Sequence, residues 1–469
     1  MKYVFYDLET TGRSPYWDQI IQVAAIYTDE KLNVLDKLNY TCKLNSWCIP
    51  DPEALIVNKI PINTICNSNI SNYQLMLNLY EKFSHWSPAT FIGYNSISFD
   101  EEILRNSFFR NLLDPYLTIK KSNSRSDLLN LSRISNFFYP ELLKSEVSEK
   151  GNPILKLESI AKVNGVNNFT AHDALGDTYA TLELAKIIKK ELPDLWIKGT
   201  KSLDKTSLGN SIISKPFCYL ESYFGKTKAF CLSYVVDHPV YNWALCFDLR
   251  DNPEKILTMN SEEISLYLDK SPKIIRNIKL NKSPIFLDIK LKKLIDSYDE
   301  QSLDLLHERH KFIRENKEFK DKILYYFNKK AHYNDTDLSQ EDLYAEETIY
   351  KKFIKKDDEI LFSNFHKSKW IEKKNLIKKF KDYRLSYFAN LLFYEEQPDL
   401  LAKDTYNEIK KSLADKLLSK NKEKWMTVYE AYKKIDDLRE KYANNNDDIY
   451  VKILNDINIY IENLENKLQ

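Results

Sequence analysis

The 469-residue chain carries 69 Lys and Arg against 68 Asp and Glu, so its net charge of +1 does not by itself favour a polyanion as partner. Its length is enough for two or three domains, and 43% hydrophobic with 29% charged residues is typical of a folded protein. The six cysteines form no C-x-x-C pair, which argues against zinc and disulfide frameworks and favours reduced thiols in a cytosolic protein. No apolar run approaches the roughly 20 residues of a membrane span, and the charged N-terminal strand is not a signal peptide.

The first 192 residues alternate short apolar runs with amphipathic stretches. The apolar runs predict strands at residues 4–6, 20–27, 38–42 and 90–94, and the amphipathic stretches predict helices at 73–83, 101–109 and 173–191. Pro193 stops the last helix because proline lacks the amide that would continue it. This alternation predicts an α/β domain that ends near residue 192.

The sequence changes character after residue 192. Residues 198–211 are rich in Lys, Ser, Thr and Gly and are expected to be a linker. Residues 217–220, 229–236 and 243–249 contain aromatic β segments, typical of a small barrel. From about residue 339 the chain has no glycine and is expected to be helical, because apolar residues recur three or four apart, as at Ile409, Leu413 and Leu417.

Two carboxylates follow the first apolar run. Asp7 and Glu9 are two residues apart, so on a strand both side chains leave the same face and could share a hard cation. The alternative is a pair of exposed carboxylates on a solvated strand. The apolar Val4-Phe5-Tyr6 just before them favours the metal interpretation.

Further polar residues lie at the starts of predicted helices. Asp100 alone is best explained as the N-cap of the helix that follows, and Asp173 is a natural cap in the same way. Asp177 lies one turn into its helix and can face back towards the helix start. His172 alone would be structural, as isolated histidines usually are. Four carboxylates that met at one point would repel one another strongly unless cations lay between them.

The order of these motifs resembles that of a known superfamily. D-x-E-T-T-G at residues 7–12, N-x-x-x-F-D at 95–100 and H-D-A-x-x-D at 172–177 follow the pattern of the DnaQ-like exonucleases, the DEDD superfamily in its histidine-bearing branch. Residues 93–116, 123–129 and 157–165 are similar in more detail to the bacterial exonuclease I family. The similarity continues more thinly at residues 215–216, 224–225, 281–284 and 383–384.

The resemblance implies an architecture for the whole chain. The expected fold class is α/β, with a ribonuclease H-like exonuclease domain that contains a mixed sheet at residues 1–192. A Src-homology-3-like barrel domain is expected at residues 198–336, and an all-helical C-terminal domain at 339–469. In the family, the last two domains close a channel over single-stranded DNA.

The resemblance also implies the chemistry. Asp7, Glu9, Asp100 and Asp177 would hold two Mg²⁺ ions per active site, for which Mn²⁺ can substitute, and His172 would be the general base. These five residues form the expected catalytic set. The reaction would be hydrolysis of single-stranded DNA from its 3′ end to 5′-mononucleotides, in DNA repair and recombination. The family expectation is a cytoplasmic monomer that does not bind membranes.

Matching positions imply contacts with DNA. The expected substrate-binding residues are Glu9, Arg105, Tyr116, Arg133, Lys156, Lys215, Asn281 and Lys282. Lys156 stands where the family more often has Arg, so the charge is kept but the bidentate fork is lost. The stretch from Lys367 to Arg384 has two open interpretations. Its alternating lysines and aromatic residues suit phosphates and bases, or equally an amphipathic helix whose aromatic residues pack inward.

Two positions depart from the family pattern. Asn58-Lys59 replaces a Thr-Gly pair in a loop near the terminal nucleotide, so the backbone is expected to differ there. Tyr139 replaces a basic residue of the site for the acidic tail of single-stranded-DNA-binding protein. That replacement weakens the case for this protein as a partner.

Other functions compete with the leading prediction of a single-stranded-DNA exonuclease. The same catalytic residues would serve a 3′→5′ RNA exonuclease or a proofreading subunit, although small RNA-trimming relatives usually lack a long segment after the nuclease domain. A non-catalytic single-stranded-DNA-binding scaffold would be expected to lose a metal ligand, and all five site residues are present. A structural coiled coil would explain at most the last third of the chain.

Overall fold

The computed structural model describes residues 1–167, 173–201, 205–223, 225–335, 343–443 and 448–469. The chain forms two compact units. The first combines residues 1–123, 168–182 and 342–469, and the second combines residues 124–167 and 183–341. Each unit thus takes segments that are far apart in the sequence. The predicted domain boundaries at residues 192, 198, 336 and 339 stay predictions.

The first unit begins with a sheet flanked by helices. Its elements up to residue 123 are β1 (Tyr3–Thr10), β2 (Ile20–Thr28), β3 (Val34–Thr41), α1 (Pro52–Asn58), α2 (Ile62–Cys66), α3 (Asn72–Trp86), β4 (Thr90–Gly93) and α4 (Asp100–Arg110). The strands follow the order β3-β2-β1-β4. Because β1 pairs antiparallel to β2 and parallel to β4, the predicted mixed sheet is confirmed.

The central strand β1 positions the carboxylates. Tyr6 and Leu8 point into an apolar core that includes Phe83 of α3. Since side chains alternate along a strand, Asp7 and Glu9 lie on the opposite face. The register with β2 shifts just after Glu9, so regular pairing ends at the carboxylates.

The middle of the chain alternates short helices with strands. Its elements are β5 (Ser124–Asp127), α5 (Leu128–Phe138), β6 (Glu146–Val147), β7 (Pro153–Ile154), α6 (Leu157–Val163), α7 (Ala174–Glu191), α8 (Pro193–Thr200), α9 (Lys205–Ser214), β8 (Phe217–Tyr223), β9 (Lys226–Asp237), β10 (Trp243–Asp248), α10 (Lys255–Thr258), α11 (Ser261–Asp269), β11 (Ile275–Lys279), β12 (Leu287–Asp288), α12 (Leu303–Glu315) and α13 (Lys317–Asp335). Short 3₁₀ turns lie at Leu280–Lys282, Ile289–Leu294 and Asp296–Tyr298.

The predicted linker at residues 198–211 is wrong, because α8 and α9 occupy most of it. Its Ser, Thr and Gly content suggested a flexible segment, but apolar anchors stabilise the two helices. Trp196 of α8 is buried, and Ile212 of α9 belongs to the core of the following sheet. Gly199 lets α8 approach α5, because a Cβ there would lie 2.4 Å from Leu131 Cδ2.

The second unit contains a five-stranded sheet in the order β11-β10-β9-β8-β12, in which every recorded pair is antiparallel. The predicted β segments after residue 217 are therefore confirmed. Cys218 and Cys231 lie opposite each other on β8 and β9, with their sulfur atoms 3.7 Å apart. All six cysteines of the chain are free thiols.

The last part of the chain is helical and packs within the first unit. Its helices are α14 (Lys356–Lys367), α15 (Trp370–Ile377), α16 (Tyr383–Glu396), α17 (Lys403–Leu417), α18 (Val428–Ala443) and α19 (Asp448–Leu468), with 3₁₀ turns at Ala345–Thr348 and Pro398–Leu400. Ile435 of α18 and Ile457 of α19 share a core with Leu55 of α1 and Ile21 of β2. Within the described residues, no helix combines the length and the apolar character needed to cross a membrane.

Candidate active site

Strand β1 presents two carboxylates to one face of the sheet. Asp7 is half-buried, and Glu9 is 8% exposed. In the antiparallel register, Asp7 lies opposite Ala24 and Glu9 lies opposite Gln22 of β2. A small and a polar residue of β2 thus lie opposite the two carboxylates.

Asp177 reaches the same face from α7. The Asp173 carboxylate accepts a hydrogen bond from the Gly176 amide at 3.1 Å, so Asp173 caps the helix as predicted. The Gln22 amide group donates to Asp173 at 3.2 Å and accepts from the Ala174 amide at 3.4 Å. Gln22 therefore fixes the start of α7 to β2, and Asp177 lies one turn further along.

Three carboxylates meet at this point. One oxygen atom each of Asp7, Glu9 and Asp177 lies within 4.8 Å of the other two. Burial, and then the charge of Asp100, raises the pKa of Asp7 well above its ordinary range. Burial, and then the charge of Asp177, raises the pKa of Glu9 from 4.5 to about 8. These pKa shifts express the burial of the two carboxylates first and the repulsion within the cluster second.

Asp100 is the first residue of α4 and not its cap. Phe99 holds the N-cap position, and no side chain there bonds to the helix amides, so the interpretation of Asp100 as an N-cap is wrong. Asp100 is 6% exposed and lies outside the group of three. Its charge nevertheless raises the pKa values of both Asp7 and Glu9. Electrostatically, Asp100 belongs to the same cluster.

A tight turn follows the carboxylates. The Asp18 carboxylate closes it by accepting hydrogen bonds from Thr11 Oγ1 at 2.9 Å and from the Ser14 amide at 2.7 Å. Gly12 is required here, because a Cβ would lie 2.5 Å from Asp18 Oδ1. The turn therefore keeps the chain after Glu9 in one conformation.

The Asn58-Lys59 pair lies against this turn. Asn58 Nδ2 donates to the Thr10 carbonyl at 2.9 Å. Lys59 ends α1 in the left-handed region, with φ of 55°. Glycine adopts that conformation more readily than lysine does, which suits the glycine of the family pattern at this position.

His172, the expected general base, lies outside the described residues. Its role stays a prediction that rests on the H-D-A-x-x-D motif. The rest of that motif is described from Asp173, which caps α7, to Asp177, which joins the cluster.

Arg105 and Tyr116 form a stacked pair, with the guanidinium carbon 5.3 Å from the ring centroid. Arg105 Nε donates to the buried Glu101 carboxylate at 3.1 Å. Among the residues that the structure describes, Arg105 Nη2 and Tyr116 Oη are buried and have no hydrogen-bond partner.

The remaining expected DNA contacts belong to the second unit. They are Arg133, Lys156, Lys215, Asn281 and Lys282. Three of them (Lys156, Lys215 and Asn281) are exposed, and the other two are half-buried. The Asn281 carbonyl accepts a hydrogen bond from Arg125 at 3.1 Å, which ties its segment to β5. Their contacts with DNA stay predictions.

The stretch from residue 367 to 384 is divided between the end of α14, α15 and the start of α16. Lys373 is 4% exposed, and its ammonium lies 4.0 Å from the ring centroid of Trp370. Arg384 is 2% exposed and donates to the Asp382 carboxylate at 2.7 Å. These two cations support the inward-packing interpretation. Tyr383, by contrast, is 66% exposed.

Three polar residues around the cluster were not predicted as functional. Gln22 could have been found from the sequence, because it is a polar residue within the apolar run 20–27. The sequence signal for Asp18 was weaker, since Gly12 suggested a tight turn but did not indicate which residue closes it. Glu101 looked like an ordinary acidic residue in a first helical turn, where such residues are common.

The donor set of the cluster fits a hard divalent cation. Carboxylate oxygens are the ligands that Mg²⁺, Ca²⁺ and Mn²⁺ prefer in proteins. One oxygen atom from each of three such groups lies within 4.8 Å of the others, and burial and then mutual repulsion raise the pKa values of Asp7 and Glu9. Positive charge between the carboxylates would offset both effects.

Comparison with known proteins connects this site to a family. Residues 4–185 match the family model described as Exonuclease, and residues 204–329 match the Exonuclease I SH3-like domain. Exodeoxyribonuclease I of Buchnera aphidicola subsp. Schizaphis graminum is 35% identical over 234 residues, 49% of this chain and 48% of that protein. The Haemophilus influenzae enzyme of the same name is 30% identical over 309 residues, 61% of this chain and 64% of that protein. The chain thus spans between about half and two thirds of the length of these relatives.

A solved structure gives the fold of the whole chain. The crystal structure of E. coli exonuclease I in complex with a dA16 oligonucleotide matches with a TM-score of 0.83 at 23% identity, over 99% of each chain. The predicted exonuclease domain with a mixed sheet, the Src-homology-3-like domain and the helical C-terminal region are therefore confirmed. An exonuclease domain of this kind implies the use of divalent metal ions. In its two matching domains, its relatives and its fold, the chain is similar to the exonuclease I family.

Proposed function

We propose that the chain is a Mg²⁺-dependent 3′→5′ exodeoxyribonuclease that degrades single-stranded DNA to 5′-mononucleotides. The observation that carries this proposal is the convergence of Asp7, Glu9 and Asp177, with Asp100 close enough to raise the pKa values of the first two. A buried carboxylate cluster is unfavourable by itself, so its retention in an exonuclease domain indicates a cation-dependent reaction.

Asp7, Glu9, Asp100 and Asp177 would hold two Mg²⁺ ions, or Mn²⁺ in their place. Such an ion pair supplies activation of the attacking water and neutralises the leaving 3′ oxygen. His172 takes the proton of that water, for which an imidazole with a pKa near neutrality is suited. The rigid turn after Glu9 and the Gln22 contacts with α7 keep the carboxylates in place.

Single-stranded DNA is the substrate that the surroundings of the site favour. Arg105, which stacks on the ring of Tyr116, supplies a cation of the kind that pairs with a phosphate of the bound strand. The cations Arg133, Lys156, Lys215 and Lys282 are the further phosphate contacts that we propose. The match of residues 204–329 to an exonuclease I domain separates the chain from small RNA-trimming nucleases and proofreading subunits.

The test compares cleavage of 3′-labelled and 5′-labelled single-stranded DNA, duplex DNA and RNA in Mg²⁺. We expect 5′-mononucleotides from the 3′ end of single-stranded DNA, with no cleavage in EDTA. Asp177→Asn should abolish cleavage while binding persists, and Asp194→Asn, an exposed carboxylate of α8, should behave as wild type.

Other outcomes would contradict separate parts of the proposal. Equal rates on RNA would overturn the substrate, whereas DNA binding without cleavage under any metal would favour a non-catalytic scaffold. Full activity of Asp177→Asn would overturn the assignment of the site. The association with single-stranded-DNA-binding protein, the monomeric state and the repair role stay predictions.

A further inference from the structure

Glu101 is a wholly buried carboxylate next to the active site. It follows Asp100 in α4 and is 0% exposed. Its neighbour Tyr6 comes directly before Asp7 on β1 and points into the core. Because side chains alternate along a strand, Tyr6 lies on the face opposite to that of Asp7 and Glu9. A residue bonded to Tyr6 is therefore placed beneath the carboxylate cluster and not within it.

Side chains of three described residues donate hydrogen bonds to the Glu101 carboxylate. Tyr6 Oη donates to Oε2 at 3.2 Å, and Arg105 Nε donates to Oε1 at 3.1 Å. Thr118 Oγ1 also donates to Oε1. The charge of Arg105 neutralises Glu101 in this buried place, so Glu101 does not need a cation of the active site.

We propose that Glu101 is a positioning residue, which binds α4 to β1 through Tyr6 and thereby sets the distance of Asp100 from Asp7 and Glu9. The inference rests on the proposed function, because it concerns the affinity of that site for divalent cations. Asp100 and Glu101 are consecutive in α4, and Tyr6 and Asp7 are consecutive in β1. The Tyr6–Glu101 hydrogen bond thus connects the two elements at the residues next to their expected metal ligands.

The backbone hydrogen bonds described for the start of α4 and for β1 lead to other segments. The Glu101 amide donates to the Ser96 carbonyl at 2.9 Å, which holds α4 to the loop that precedes it. β1 contacts β4 in register from Tyr3 to Phe5, and this pairing ends before Asp7. Beyond that point the Tyr6–Glu101 hydrogen bond is a direct side-chain tie between the two elements. Its loss would let Asp100 move relative to Asp7.

The experiment measures Mn²⁺ binding to the full-length protein by the EPR signal of free Mn²⁺, together with Tm in EDTA. Tyr6→Phe removes the tie without changing charge, and Glu101→Gln changes the carboxylate itself. We expect both variants to bind Mn²⁺ about 10–100-fold more weakly, the usual effect of losing a group that orients a metal ligand. Glu102→Gln is the matched control, since its carboxylate accepts a hydrogen bond from Tyr350 of another segment.

The outcomes separate this inference from the proposed function. If wild-type protein binds no Mn²⁺, the proposed function fails and the inference with it. If wild-type protein binds Mn²⁺ and folded Tyr6→Phe binds it equally well, only the inference fails, whether or not Tm falls. Equal weakening by Glu102→Gln would also overturn it. Should Glu101→Gln fail to fold, Tyr6→Phe decides alone, since it keeps both the charge pair with Arg105 and the aromatic core contact.

Discussion

Replacing Glu9 with glutamine should stabilise the metal-free protein while abolishing its activity. The pKa of folded Glu9 is about 8, against an ordinary value of 4.5. The folded state therefore binds this proton more tightly than the unfolded state does. It follows that the stability of the metal-free protein falls as pH rises from about 4.5 to about 8. Glutamine has no proton to gain, so Glu9→Gln escapes this loss.

The size of the effect follows from the same values. At pH 7 the unfolded carboxyl is ionised, and protonating it about 2.5 pH units above its ordinary pKa costs about 3 kcal/mol. Glu9 is only 8% exposed, so screening by solvent reduces this figure little. With an unfolding entropy of about 2.1 cal/mol/K per residue over the 469-residue chain, the gain corresponds to about 3 °C in Tm.

Thermal unfolding in EDTA at pH 4.5 and pH 7.5 provides the assay. Glu9→Gln should have nearly the wild-type Tm at pH 4.5 and a higher one at pH 7.5. Glu81→Gln, which changes an exposed carboxylate of α3, should follow wild type at both pH values. A gain in Tm that is the same at both pH values, or absent at pH 7.5, would refute the reasoning. Adding Mg²⁺ should raise the Tm of wild type more than that of the variant.

Three further predictions concern the turn, the substrate and the base. Gly12→Ala places a Cβ 2.5 Å from a carboxylate oxygen and should lower both Tm and activity. Its control is Gly209→Ala in α9, where the new Cβ meets open space. That variant should raise the free energy of unfolding by about 0.5–1 kcal/mol in thermal unfolding. Tyr116→Phe should weaken single-stranded-DNA binding several-fold in fluorescence anisotropy without changing Tm; an unchanged Kd would exclude Tyr116 as a contact. His172→Ala should slow single-turnover cleavage by about 10²–10⁴-fold, less than Asp7→Ala, and equal losses would argue against a general base.

The catalytic strand was predictable because its pattern is local. An apolar run followed by carboxylates two apart determines that Asp7 and Glu9 share a face, and β1 has this arrangement. The cap at Asp173 followed from its position before α7 in the same way. Asp100 shows the limit of local rules, because a residue favoured at N-caps stands one position inside the helix.

The features that the sequence patterns did not predict depend on contacts between residues that are distant in the chain. Lys373 looked like one of several solvent-facing lysines, yet it donates to Tyr73 Oη, 300 residues away, at 2.9 Å. Burial lowers the pKa of Lys373 to about 8. The helices at residues 198–211 likewise depend on Trp196 and Ile212 finding cores that other segments supply. Periodicity alone indicates neither the contact of Lys373 with Tyr73 nor the cores that bury Trp196 and Ile212.

The core that α1 shares with α18 and α19 has a consequence for how the protein folds during synthesis. Leu55 and Ile21 are covered by Ile435 and Ile457, which are synthesised hundreds of residues later. While the chain is being synthesised, the apolar side chains of β2 and α1 that belong to this core therefore have no helix packed against them. Domains generally fold as they leave the ribosome. The core of β2 and α1, however, is completed only after α18 and α19 have been synthesised. This part of the protein would thus be completed late in synthesis, and a prematurely terminated chain would expose apolar surface to chaperones and proteases.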